Sequence, residues 1–189
     1  MSCLITSDID APSCDSGKKG GLQTAIWVFN YEELDQGQPV AQVATGTEAG
    51  KVTGINLQTY KNARKWNGVR NRNGAFSYNS YNEELQEQGY YNQSVAGRFR
   101  PENQEVLNTL DSSVDVPVLI VVETSNKEFK AYGIDGGLTL QTFVQTSGQA
   151  FADDNSANLT FAGISDKPAP FVDNGDYEST LNMLNGYLE

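Results

Sequence analysis

The sequence predicts a mainly β protein, an antiparallel β-sandwich or barrel with one flanking α-helix. Three observations predict it. Turn formers are abundant: 18 of the 189 residues are glycine, and Asn, Ser, Thr and Asp are frequent, as expected of short strands joined by turns. Apolar residues alternate along several short stretches, the period of a half-buried strand. Only one stretch between them has a well-formed helical pattern. Hydrophobic residues reach 38%, and nine tyrosines, eight phenylalanines and two tryptophans supply the aromatic surface of a folding chain. A polar chain with this many aromatics relies on neighbours for part of its burial.

Residues 1–20 are polar, with Pro12 and Gly17, and read as an N-terminal arm. Residues 21–30 (GLQTAIWVFN) form the first strand: Leu22, Thr24, Ile26 and Val28 share one face, Ala25, Trp27 and Phe29 the other. Apolar side chains on both faces predict a strand covered on each side. Residues 39–45 and 52–60 follow as strands, separated by a turn at 46–50. From 61 to 89 the chain becomes very polar, with a half-exposed strand around Phe76 and Tyr78. This stretch is expected to be an interface loop that adds little core. Residues 90–99 resume the strand pattern.

Pro101 stands at the first position of the helix, 101–110 (PENQEVLNTL), where its missing N–H costs nothing. Glu102 and Glu105 suit the positive end of the helix dipole, and Val106, Leu107 and Leu110 give one apolar face. Residues 116–122 (VPVLIVV) are the most hydrophobic run and read as a buried strand. Ser125, Asn126 and Lys127 make a turn and 129–132 returns, so 116–133 is a β-hairpin. After a second turn at 134–137, strands at 138–146 and 158–164 continue in β-meander order. One sandwich domain thus covers 21–172. The remainder, 173–189, is a C-terminal tail patterned for a short helix on Leu181, Leu184 and Tyr187.

The charge is uneven. Residues 101–189 hold 14 acidic residues against Lys127, Lys130 and Lys167, a balance of −11 that equals the net charge of the whole chain. The first hundred residues are balanced, 10 basic against 10 acidic. An acidic surface disfavours holding nucleic acid, because counterion release needs basic groups. Lys61, Arg64, Lys65, Arg70 and Arg72 nevertheless gather around Trp66. Cations beside an aromatic can contact nucleic acid. Here the acidic second half of a neighbouring copy is the favoured partner, so these six residues are the candidate subunit interface.

There is no histidine, which removes Ser-His and Cys-His triads and the commonest metal ligand. Asp153-Asp154 is the obvious carboxylate pair, but adjacent turn residues usually diverge, and no enzyme activity is expected. The loops Asp153-Asp154-Asn155 and Asp173-Asn174-Gly175-Asp176 are rich in oxygen yet lack calcium-loop spacing, and read as solvated turns. No glycine-rich phosphate loop is present, and no cofactor is expected. Cys3 and Cys14 could close a small disulfide loop, although a reducing cytoplasm favours two free thiols. No apolar stretch approaches membrane-span length, and the N-terminus lacks the pattern of a signal peptide.

A distinctive order runs through the second half. The helix at 101–110 and the apolar strand at 116–122 lead to Tyr132-Gly133 and Gly136-Gly137-Leu138. Then come a strand ending in Thr146-Ser147-Gly148, the turn at Asp153-Asp154 and a strand at 159–163. Cys3-Leu4-Ile5-Thr6, Cys14 and Gly20-Gly21 open the chain. Over residues 3–30 and 100–172 this order resembles structural proteins of phages of Bacteroidota-like hosts. Among these it is most similar to the tail-tube (major tail) proteins of long-tailed bacteriophages. The resemblance implies a β-sandwich with one flanking helix, assembled into hexameric rings that stack head to tail. It implies other copies and other tail proteins as partners, with DNA passing through the lumen without specific binding. It implies no membrane partner, and a virion protein assembled in the bacterial host cytoplasm. The alternatives are a head–tail joining or capsid decoration protein, or a carbohydrate-binding sandwich using Trp27, Trp66 or the tyrosines as sugar platforms.

Overall fold

Residues 118–124 place a run of apolar side chains where neither face of a strand can meet water, so the chain around them must build layers on both sides. A computed structural model describes residues 21–35, 37–45, 49–70, 78–100, 104–146 and 156–188. In chain order it contains β1 (Leu22–Asn30), a 3-10 turn (Tyr31–Glu33), β2 (Ala41–Val43), β3 (Val52–Ile55), β4 (Arg64–Asn67), β5 (Ser80–Leu85) and β6 (Tyr91–Phe99). Then follow α1 (Gln104–Asp111), β7 (Val118–Thr124), β8 (Phe129–Tyr132), β9 (Thr139–Thr146), β10 (Ser156–Ser165), β11 (Phe171–Val172) and α2 (Tyr177–Gly186). The strands form a seven-stranded sheet, ordered β2-β3-β11-β8-β7-β1-β4, and a four-stranded sheet, ordered β5-β6-β10-β9. The expected N-terminal arm, with Cys3 and Cys14, lies outside the described residues, as do Arg72, Phe76, Pro101, Asp153 and Asp154.

The mainly β sandwich with a flanking helix is the fold observed. All seven residues of β7 are buried. Val118, Ile120 and Val122 face the smaller sheet with Ile26 and Val28, meeting Val95, Phe99, Leu159 and Phe161. Leu110 is buried in this layer and Val106 packs against it, so α1 closes one end of the sandwich. The other face carries Trp27, Phe29, Leu119 and Val121, which pack with Leu34, Val52, Ile55 and Leu184. Each such aliphatic side chain contributes about 1.5–3 kcal/mol when buried. The apolar patterning of 21–30 thus has the two-sided cover it demands.

Four features differ from the sequence expectation. First, residues 173–189 are not a tail. Leu184 of α2 is fully buried, and Leu181, Met183 and Tyr187 pack around it. The Asp176 side chain caps this helix by accepting from the Ser179 N–H at 2.7 Å. There are therefore two α-helices among the described residues, and the second covers the far face of the larger sheet. Second, the second half is not a meander: β7–β8 is a hairpin of the larger sheet and β9–β10 one of the smaller. The chain changes sheets at Gly133–Gly137, where both glycines have positive φ (84° and 80°). A Cβ at Gly133 would lie 2.9 Å from the Val118 carbonyl oxygen, so this crossing needs glycine. Third, β11 runs parallel to β3, with Val172 opposite Val52, an exception to the antiparallel pattern.

Fourth, residues 61–89 are not an unbroken polar loop. They supply the edge strand β4 and the edge strand β5, one for each sheet. Ala63 is buried, and Trp66 packs edge-on against Phe99 with centroids 5.7 Å apart. Between the strands, Gly68 N–H donates to the Thr24 carbonyl and Val69 N–H to the Arg98 carbonyl, both at 2.7 Å. Buried Asn79 completes the tie: its amide donates to the Thr24 carbonyl at 3.1 Å and accepts from the Arg98 N–H at 3.3 Å. Backbone pairing and the aromatic contacts of Trp66 and Tyr81 hold a segment whose composition is almost wholly polar.

Candidate functional site

The predicted basic cluster falls on and around β4. In β4, Arg64 pairs opposite Val28, Lys65 opposite Trp27 and Trp66 opposite Ile26. Lys65 therefore leaves on the face carrying Trp27, where its ammonium lies 5.0 Å from the Trp27 ring and donates to Asn185 Oδ1 at 3.2 Å. Arg64 donates to the nearby Asn62 and Ala63 carbonyls. Lys61 pairs with Glu33 at 3.4 Å. Arg70 lies beyond β4, exposed beside a cleft that Trp66 also lines. Lys65, Trp66 and Arg70 thus line one cleft, while Lys61 and Arg64 bond elsewhere, and Trp66 also packs into the core. Trp27 has no exposed surface, which removes it as a sugar platform.

The carboxylates of the described residues that sit at or near the core are engaged in structural bonds. Glu83 pairs with Lys130 at 3.9 Å and accepts from the Ala169 N–H. Asp135 accepts from the Ser165 hydroxyl. Asp173, in one of the oxygen-rich loops, pairs with Lys51 at 3.1 Å, while Asp176 serves as the helix cap. That capping bond holds the Asp176 carboxyl below its ordinary pKa. Buried Glu123 accepts from the Tyr177 hydroxyl at 2.8 Å. Burial first, and this bond second, push the Tyr177 phenol up to about 12. Burial likewise holds the Tyr132 phenol far above its ordinary value, with Tyr81 and Glu83 adding to the shift. No group of three or more His, Cys, Asp or Glu side chains among the described residues could hold a metal ion. No described helix is long and apolar enough to cross a membrane.

The feature that stands apart is β9. It is the terminal strand of the smaller sheet, pairs along its inner edge with β10, and is eight residues long. Its sequence, TLQTFVQT, contains no charged residue and no proline. From Gln141 onward its residues are exposed on both faces, including Phe143 at 43% and Val144 at 51%. Edge strands of dispersed proteins are ordinarily short, charged, bulged outward or covered. Here the one register irregularity lies at Thr160–Phe161, facing the inner end of β9, and the outer half runs regularly. Sequence reasoning found this strand but not its exposure, because its alternation suits a half-buried strand equally well. The absence of charge in 138–146 was the available signal.

No protein-family model, curated protein or solved structure matches the chain.

Proposed function

We propose that the chain is a structural subunit that assembles with copies of itself, and specifically the tube subunit of a bacteriophage tail. The observation that carries this reading is the uncharged strand β9, which among the described residues pairs with β10 alone. An edge of this length joins a strand of another chain at little cost, since its backbone donors and acceptors are already aligned. In a ring, the edges of successive small sheets meet and no edge is left exposed. Rings that then stack without closing grow into a filament.

The charge distribution supports the same reading. The net −11 resides wholly in residues 101–189, and a conduit for DNA is served by a surface that repels phosphate. DNA would pass without specific binding, and the partners are other copies and other tail proteins in the virion. No catalytic role or cofactor belongs to this reading. Negative-stain microscopy of the purified chain tests it. Rings or tubes are expected at micromolar concentration, and monomers under all concentrations and salts would overturn it.

A further inference from the structure

Tyr60 combines two properties that the stability of a single chain does not explain. Its φ is 64°, in the left-handed region, where a side chain's Cβ crowds a neighbouring carbonyl. Among the described residues, Asp115 (61°) and Lys127 (62°) are the other non-glycine residues there. Aspartate tolerates that region, and Lys127 lies in the β7–β8 hairpin turn with its ammonium 5.1 Å from the Tyr177 ring. A bulky tyrosine is an outlier, and Tyr60 gains no burial to offset the strain: it is 97% exposed. The turn that carries it is firmly held. Lys61 N–H donates to the Gln58 carbonyl at 3.1 Å, which makes Tyr60 the third residue of a four-residue turn, where Gly or Asn ordinarily supplies a positive φ. Gln58 N–H donates to the Glu33 carbonyl at 3.0 Å. The Gln58 side-chain amide donates to the Glu32 and Leu34 carbonyls at 2.9 and 3.1 Å. Leu57 and Ala63, on either side of the turn, pack in the layer that α2 covers. The ring therefore stands in water on a fixed base on the α2 side of the larger sheet, whereas β9 belongs to the smaller sheet.

We infer that Tyr60 anchors a contact with a second copy of this chain, its ring becoming buried against that copy on assembly. A strained and exposed aromatic lowers the stability of the isolated chain, so what it contributes lies outside the chain. Tyrosine suits the role: it brings a large apolar face and a hydroxyl with only two side-chain torsions to fix. A preformed turn lowers the ordering entropy that docking costs. Glu32, Gln58 and Thr59 lie beside the ring's base and are exposed, a polar rim of the kind that surrounds a buried anchor. The inference rests on the self-assembly reading above, and that reading selects the partner. Edge pairing through β9 joins small sheets side by side. A tube needs a second contact elsewhere on the chain, so that one ring can hold the next. Tyr60, in a loop on the opposite layer of the sandwich, supplies it.

Two variants separate the ring from the strain. Tyr60→Asn removes both, because asparagine adopts positive φ readily, and Tyr60→Phe keeps both. Thermal melting and sedimentation velocity of the parent and each variant are the paired readouts. The Asn variant should melt at or above the parent's temperature. The concentration at which it sediments as tubes should rise about thirtyfold or more, the scale of losing an interface anchor. The Phe variant should form tubes at far lower concentration than the Asn variant. If the parent forms tubes and the Asn variant forms them equally well, this contact is overturned while self-assembly stands. Equal losses in the Asn and Phe variants would show that the ring is not the anchor, and an Asn variant that melts well below the parent would show that Tyr60 serves its own fold. Either result overturns the inference. If the parent never forms tubes, the reading of stacked assembly falls and this contact with it.

Discussion

In the larger sheet, β1 and β7 are covered on both faces, by the smaller sheet on one side and by α2 with the β2–β3 region on the other. In the smaller sheet the inward face holds the core, and the residues of the outer half of β9 are exposed on both faces. Both sheets belong to one sandwich, yet they place their apolar residues differently. The larger spends them on its own stability. The smaller leaves Phe143, Val144 and Ile164 about half exposed, where they add less to the stability of one chain and are available to another. Residues that decide folding should therefore cluster in the larger sheet, and residues that decide assembly on the smaller sheet's rim.

The largest expected effect comes from a charge in the two-sided sheet. Ile120→Asp should abolish soluble protein, because an unpaired carboxylate amid Val118, Val122 and Tyr132 costs several kcal/mol. Soluble expression with a cooperative melt checks this, and a normally folded variant would break the contrast at its strongest point. Leu184→Ala should come next, at about 2–5 kcal/mol, because α2 is a structural layer. Denaturant titration reads the loss, and a change below about 0.5 kcal/mol would make α2 the tail that composition suggests. Asn79→Ala should cost about 1–3 kcal/mol by removing its bonds to the Arg98 N–H and the Thr24 carbonyl. That value, read the same way, sharpens how firmly the β4–β5 segment is tied down.

The smallest effect is pH dependent. The Tyr177 phenol titrates at 10.0 when unperturbed and is pushed up to about 12 in the fold. A raised folded value means that its contribution is complete below pH 10 and is lost as pH rises through 12. Tyr177→Phe lacks the bond to Glu123 and should be less stable than the parent at neutral pH. The gap in Tm between them should narrow above pH 10. A gap that is constant from pH 7 to 12 would show that the fold does not raise the Tyr177 phenol's pKa.

How far the sequence discloses the fold depends on how each element is stabilised. Residues 116–122 are legible because a strand buried on both faces needs no alternation, only an unbroken apolar run. The hairpin turn at Ser125–Lys127 and the apolar positions Leu181, Leu184 and Tyr187 are legible for similar local reasons. β4 is not: its four residues, RKWN, include two cations, and pairing with β1 holds it in place. β11 is two residues long, too short for any period. Nor does adjacency in sequence show which face of β4 a side chain takes: Lys65 pairs opposite Trp27 and Trp66 opposite Ile26. Trp66 and Leu110 line one cleft from two distant segments, a proximity that only the fold creates.

The most direct test of the contrast is to charge the rim of the smaller sheet while leaving the sandwich intact. Phe143→Lys with Val144→Lys places two cations on the outer half of β9, both at exposed positions. Thermal melting and negative-stain microscopy of this variant and its parent are the paired readouts. The account predicts a melting temperature within about 2 °C of the parent, since surface substitutions usually stay within about 0.5 kcal/mol. It also predicts the loss of rings and tubes, because lysines on an open edge block strand pairing. Assembly unchanged from the parent would contradict it.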